Sequence, residues 1–362
     1  MTNAEAAPFR RAQIVGLGLI GSSVALALQR AGWTVTGRDA NQARAARALE
    51  LGVVDALGSD DFAEVAFVAT PVTSIPALVK EIFAASKRDD VIVTDVGGVK
   101  GRVAGAIDFP RFVGGHPMAG SEQEGPDGAD PDLFVGATWV LTPTPATDAD
   151  AYSLVREIVM GFGADVVALE PARHDALVAV VSHVPHLTAA NLMALAADAS
   201  LEHAALLRLA AGGFRDMTRI AAGEPAIWPD IFRDNAEAVL EVLDALLVRL
   251  NTARDLIATE NRQGLLDLLE YAKSARRNLP SRVVRPDAIT ECRIAVTDRP
   301  GELAEVTAVL GGIGVNIWDI EIDHSAEGPR GVLVIAISTL DVDAARAALT
   351  SRGFRPSMRS LA

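Results

Sequence analysis

Cysteine is nearly missing from this chain. Cys292 is the only one in 362 residues, which excludes an internal disulfide framework and fits a reducing, cytoplasmic setting. Positive charge is also short, with 33 Lys and Arg against 47 Asp and Glu and a formal net charge of −14. Nucleic acid is therefore not an expected partner, because phosphate binding needs clustered cations. No run stands out as long and uniformly apolar enough to span a bilayer, so no membrane partner is expected either. Arg10 and Arg11 followed by the uncharged stretch 12–29 imitate a secretory signal, but that stretch carries a glycine spacing that a signal has no reason to contain. With 50% hydrophobic and 22% charged residues, the composition is globular, and the length predicts two or three domains.

That glycine spacing is Gly16-Leu17-Gly18-Leu19-Ile20-Gly21, between an apolar run at 12–15 and a helical pattern ending at Gly32. A strand, a glycine turn and a helix in immediate succession give G-x-G-x-x-G a physical role. Gly16 makes the tight turn, Gly18 lets backbone approach a pyrophosphate at the helix N-terminus, and Gly21 lets helix and strand pack closely. Asp39 ends the next strand, where a carboxylate accepts hydrogen bonds from ribose hydroxyls and favours NAD over NADP, although Arg38 beside it blurs that choice. Alternating strands and helices continue through 65–70, 75–85 and 91–95. They predict a parallel sheet whose carboxyl edge carries Thr70, Pro71 and the segment 95–100.

The stretch VGGHPMAGSE at 113–122 puts His116 in a predicted loop among Gly114, Gly115 and Gly120. An imidazole there can exchange a proton near neutrality. A further strand at 137–142, a helix at 151–162 and a strand at 166–169 close the sheet domain. From Pro171 the pattern becomes helical. The run 174–198 is interrupted by Ser182-His183-Val184-Pro185-His186, where proline predicts a kink. His183 and His186 share a face, one expected in the core and the other at a ligand; no carboxylate or cysteine completes a metal set, so no metal is expected. Arg215 and Arg219 are candidates for bidentate carboxylate recognition. Helices at 230–250 and 252–279 follow, with apolar residues at 239, 240, 243, 246, 247 and 250 that suggest a helix face buried across a dimer interface. After a linker with Arg282 and Arg285, the order strand, helix, strand, strand, helix, strand is the ferredoxin-like pattern.

Taken in order, GLGLIGSS, DVGGVKG, GGHPMAG, SHVPH, FRDMTRIA and IWPDIF resemble the TyrA family of prephenate and arogenate dehydrogenases. The last segment, with DRPGEL at 298–303 and GVNI at 314–317, resembles an ACT domain. The resemblance implies an α/β chain with a Rossmann NAD-binding domain over 1–170, an all-α substrate-binding and dimerisation domain over 171–280, a linker over 281–289 and an ACT regulatory domain over 290–362. It implies oxidative decarboxylation of prephenate to 4-hydroxyphenylpyruvate, with arogenate as the alternative substrate and a ligand-sensing regulator with a degraded site as an alternative of another class. By position, His116 matches the family's catalytic histidine, Arg219 its carboxylate-binding arginine, His186 and Ser182 its substrate pocket, and Gly16, Gly18, Gly21, Asp39 and Thr70 its NAD site. Gly301 and Asn316 match positions near an effector, expected to be tyrosine. No chorismate mutase bundle is expected on this chain. One departure stands out: Gly98 occupies the place of the family's usual serine.

Overall fold

The computed structural model of the protein describes residues 10–121, 123–203, 206–223, 225–277, 289–297, 301–324 and 330–360. The linker with Arg282 and Arg285 and the segment 298–300 of DRPGEL lie outside the described residues. Contacts divide the chain into two units, Met1–Glu260 and Asn261–Ala362.

The first unit opens with strand β1 (Arg11–Val15), helix α1 (Leu19–Arg30), β2 (Thr34–Arg38), α2 (Gln42–Glu50), β3 (Ala56–Leu57), β4 (Val65–Val68), α3 (Ile75–Ala85), β5 (Ile92–Asp95) and α4 (Gly101–Ala106). It continues with β6 (Phe112–Pro117), β7 (Thr138–Thr142), α5 (Ala149–Gly161) and β8 (Asp165–Ala168). The eight strands form one sheet in the order β3-β2-β1-β4-β5-β6-β7-β8. Every residue of β4 is fully buried, because a strand covered by helices on both faces has no solvent side and reads as a continuous apolar run. Trp139 of β7 packs edge-on against Phe134 and Phe67, with ring centroids 5.0 and 6.5 Å away, and anchors the core on that side of the sheet.

Two expectations are corrected here. His116 is not in a loop: it lies on β6, and its neighbours Gly114 and Gly115 are buried strand residues. A Cβ on Gly115 would stand 2.7 Å from the Asp95 carbonyl oxygen and 3.0 Å from Trp139 Nε1, and one on Gly114 would stand 2.3 Å from Thr142 Oγ1. The glycines therefore serve interstrand packing rather than loop freedom. The sheet is also not wholly parallel, since β6 and β7 pair antiparallel. Among the described residues of the segment between them there is a short 3₁₀ turn at Pro126–Gly128 and no crossover helix, which a parallel return needs.

The helical layer follows as α6 (Pro171–Val178), a π-helical turn at Ala179–His183, α7 (Val184–Glu202), α8 (Gly212–Thr218), a 3₁₀ turn at Arg219–Ala222, α9 (Trp228–Asp234) and α10 (Ala236–Ala258). Pro185 has no N–H to donate and its ring crowds the preceding turn; the chain accommodates it as a π turn. The run Pro171–Leu201 is long and apolar enough to cross a membrane by length and composition, which corrects the sequence reading. Its polar side chains His174, Asp175 and His183 are nonetheless buried and hydrogen-bonded within the protein. The break expected near Asn251 falls later, after Ala258, where Glu260 adopts a left-handed φ of 52°.

In the second unit, α11 (Arg262–Arg277) precedes β9 (Ile289–Thr297), α12 (Glu302–Gly312), β10 (Ile317–His324), β11 (Arg330–Ser338), α13 (Val342–Ser351) and β12 (Pro356–Ser360). The sheet order β10-β11-β9-β12, with every pair antiparallel, is ferredoxin-like. Cys292, Ile294, Leu310, Ile335 and Leu349 form its core.

Replacing Gly115 by alanine should overpack the β5–β6–β7 junction and cost about 1–3 kcal/mol. The expected readout is a lower urea midpoint at unchanged slope; an unchanged midpoint would show that the junction has room to relax.

Candidate active site

At the amino end of the first unit, Gly16 takes a φ of +99°, and a Cβ on it would lie 2.2 Å from the Ala69 carbonyl oxygen. A Cβ on Gly21 would lie 2.0 Å from the Gly16 carbonyl oxygen. Both glycines are therefore obligatory for the turn itself. Gly18 is different: nothing stands within 4 Å of where its Cβ would be, and it caps α1 without a side-chain bond. The first-turn amides of α1 thus adjoin open space suited to an anion. Asp39 accepts from the Leu17 amide at 2.8 Å and the Asn41 amide at 2.8 Å, which ties the glycine turn to the end of β2. Arg38, the residue that blurred the NAD choice, is paired with Glu81 at 2.8 Å. Thr70 follows β4, accepts from the Ser74 hydroxyl at 3.0 Å and borders Gly16. These residues fit an adenine dinucleotide: a turn with no side chain in front of a helix N-terminus, and a carboxylate at the ribose end.

Further along the carboxyl edge, β6 presents His116 to a buried polar cluster. Its Nδ1 lies 2.9 Å from Nε2 of His174, whose Nδ1 lies 2.8 Å from Asp175 Oδ1. Asp175 also accepts from the amides of Lys100 at 2.8 Å and Gly101 at 2.7 Å, so a carboxylate from α6 caps α4. Lys100 is buried, paired with Asp95 and donating to the Gly115 carbonyl at 2.8 Å. Asp95 in turn accepts from the Gly97 and Gly115 amides at 2.8 and 3.1 Å. Burial, reinforced by His174, Lys100 and His183, holds His116 well below the ordinary histidine pKa. Burial likewise lowers Lys100, against the pull of Asp95.

The helical layer supplies the other face. His183 is 2% exposed, lies 3.2 Å from Asn235 Nδ2 and is pushed down to about 4 by burial. His186 is half-buried and stacks on Trp228 with centroids 3.6 Å apart and planes 13° apart. The histidine expected in the core is thus His183, and the one left with an accessible edge is His186. Ser182 sits half-buried in the π turn. Arg219 is exposed on its 3₁₀ turn, which packs against α7; Arg215 is exposed and donates to the Ala210 carbonyl at 3.1 Å. A Cβ on Gly98 would meet only His116, with Nε2 at 3.7 Å, so Nε2 faces a space kept free of side chain. Gly301 caps the N-terminus of α12, and Asn316 lies past the end of that helix, directly before β10.

The sequence singled out His116 and placed the segment 95–100 at the carboxyl edge, but gave no sign that Asp95, Lys100, His174, Asp175 and Asn235 join it in one cluster. The one signal for His174-Asp175 was a titratable pair directly after a Pro171 helix start; it carries no spacing that singles it out.

A model of the prephenate dehydrogenase nucleotide-binding domain matches residues 24–168, and one of the prephenate dehydrogenase dimerization domain matches residues 170–271. A prephenate dehydrogenase of Bacillus subtilis is 34% identical over 342 residues, 91% of this chain and 92% of that one. The chain belongs to the prephenate dehydrogenase family. The solved prephenate dehydrogenase of Aquifex aeolicus, in complex with hydroxyphenyl propionate and NAD+, is 31% identical, covers 76% of this chain and 100% of its own, and superposes with a TM-score of 0.71. An arogenate dehydrogenase of Synechocystis is 33% identical, covering 74% of this chain and 98% of its own, with a TM-score of 0.65. In this member of the prephenate dehydrogenase family, the matched dimerization domain takes in all the helices from α6 to α10.

The buried imidazoles set a pH dependence of stability. His116 and His183 bind protons less readily folded than unfolded, so below pH 6.5 the unfolded chain takes up protons that the fold refuses, and stability falls as pH falls. His183 alone costs on the order of 3 kcal/mol once pH is below about 4. Urea unfolding from pH 7.5 to 4 should show this loss, and His183→Gln should reduce it; a flat profile would contradict neutral buried imidazoles.

Proposed function

We propose that this chain catalyses the NAD-dependent oxidative decarboxylation of prephenate to 4-hydroxyphenylpyruvate, a step toward tyrosine. The observation that carries the reading is His116 Nε2 facing the open space at Gly98, at the same sheet edge as the dinucleotide turn. The residues of that turn would hold NAD+, which would supply the acceptor for the hydride on the ring carbon bearing the hydroxyl. Nε2 of His116 takes the hydroxyl proton as the C–O bond gains double-bond character. It returns that proton to the same oxygen as carbon dioxide departs and the ring becomes aromatic, so no net proton is consumed. The depressed pKa keeps His116 in the neutral form that this role requires.

Arg219 is assigned to a substrate carboxylate, because an exposed guanidinium on a turn against the His186 helix suits bidentate recognition. His186 and Ser182 are assigned to the pocket wall, His186 held in place by its stack on Trp228. Gly16, Gly18, Gly21, Asp39 and Thr70 are assigned to NAD. Asp39 favours NAD over NADP, and the engagement of Arg38 by Glu81 strengthens that preference. The family model of a dimerization domain, a largely apolar cleft of about 710 Å³ lined by residues such as Val184, Leu192, Met217 and Leu246, and the exposed Leu240, Leu247 and Leu250 of α10 support a homodimer through the helical layer. The C-terminal unit is read as an ACT domain with tyrosine as effector. Gly301, which caps α12, and Asn316, directly before β10, are assigned to the effector site. A cytoplasmic location fits the buried Cys292, whose thiol burial pushes up to about 11. The Synechocystis relative keeps arogenate as the second reading.

Initial rates with prephenate and arogenate, each with NAD and NADP, test this directly. Prephenate with NAD should give the highest kcat/KM, and His116→Asn should lower kcat by about 10²–10⁴ with little change in KM. Absence of turnover in all four would overturn the reading in favour of a sensing protein. Gly98→Ser should fold normally, because its Cβ meets His116 at ordinary contact distance. It should raise kcat a few-fold, in line with about 0.5–1.5 kcal/mol for one added hydrogen bond; an unchanged kcat would mean the hydroxyl adds nothing here.

A further inference from the structure

We propose that His174 and Asp175 are positioning residues for His116: the chain His116–His174–Asp175 fixes the tautomer of His116 with its proton on Nδ1, leaving the Nε2 lone pair as the base. This rests on the functional reading above for its catalytic consequence, though not for the tautomer itself.

Asp175 accepts two backbone N–H bonds, from Lys100 and Gly101 at 2.8 and 2.7 Å. Amides can only donate, so both carboxylate oxygens are already set as acceptors at the N-terminus of α4. The contact of 2.8 Å to His174 Nδ1 is then a donation from that nitrogen. A neutral His174 with its proton on Nδ1 has its lone pair on Nε2, which lies 2.9 Å from His116 Nδ1. His116 must therefore donate from Nδ1, and its Nε2 is unprotonated. The alternative, with both ring nitrogens of His174 donating, would make His116 Nδ1 the acceptor and put the His116 proton on Nε2, so the state of Nε2 separates the two arrangements. When Nε2 takes the substrate proton, the resulting imidazolium donates to His174, which is backed by the Asp175 carboxylate. The geometry follows the same logic as a base oriented by a buried carboxylate, with a second imidazole between them.

The test compares His174→Gln with His174→Phe in the full chain. Glutamine can accept from His116 through its carbonyl and donate to Asp175 through its amide; phenylalanine fills the ring volume and can do neither. Glutamine should keep kcat within about tenfold of the unaltered protein, and phenylalanine should lower it about a hundredfold with KM little changed. A purely packing role predicts the reverse order, and that result would overturn the proposal. Nitrogen-15 NMR of histidine-labelled protein, with the His116 signals identified from His116→Asn, needs no substrate and no folded variant at 174. A pyridine-type Nε2 and a protonated Nδ1 on His116 are expected; a protonated Nε2 would sink the relay. If none of the four substrate and cofactor pairs turns over, the functional reading fails while the NMR result still decides the relay.

Discussion

The joint on which the site depends is the carboxylate of Asp175. It belongs to the helical layer, yet its amide partners Lys100 and Gly101 begin α4 in the sheet layer, and its third partner is His174. One group thus fixes the approach of the two layers, caps a short helix that has no side-chain cap of its own, and terminates the chain of contacts leading to His116. Within the helical layer, Asn235 holds the same helix by donating to the Asp175 carbonyl at 2.9 Å while lying 3.2 Å from His183. Displacing this carboxylate would disturb layer packing and imidazole position together, because buried polar groups that lose a partner keep their desolvation cost.

Neutrality at His116 is the second constraint, and it comes from placement rather than from any one partner. Burial outweighs the neighbouring charges in lowering its pKa. Lys100 works in the same direction, and its own burial is offset by Asp95, which accepts its ammonium and is itself held by the Gly97 and Gly115 amides. The glycines of β6 make that possible. Only with no side chain at 115 can the strand sit close enough for its amide and carbonyl to bracket the Asp95–Lys100 pair.

Local signals were legible where one short segment decides the structure. The glycine turn, Asp39 and the alternation of strands and helices follow from spacing alone, and the ferredoxin-like order of the last unit was readable from its apolar runs. His116 was singled out by the sequence but expected in a loop, since glycine pairs usually mark turns and only tertiary contact with Asp95, Trp139 and Thr142 makes them strand residues here. The antiparallel β6–β7 pair depended on the absence of a crossover helix across a stretch with no strong pattern. His174, Asp175 and Lys100 were invisible as a set, because they are brought together across up to 75 residues of sequence, and no periodicity reports that closure.

Gly98 gives the supporting cluster more weight in this chain than a serine-bearing site would require. A hydroxyl beside Nε2 would offer the imidazole a second orienting contact on its reactive side. With glycine there, no protein side chain competes for Nε2 within the space at position 98, and ring orientation rests on the Nδ1 side and on strand β6. A loose imidazole would lose the alignment that proton transfer needs. The contacts from His116 to His174 and from His174 to Asp175 hold the ring from its Nδ1 side, so Nε2 is left aimed at the space beside Gly98.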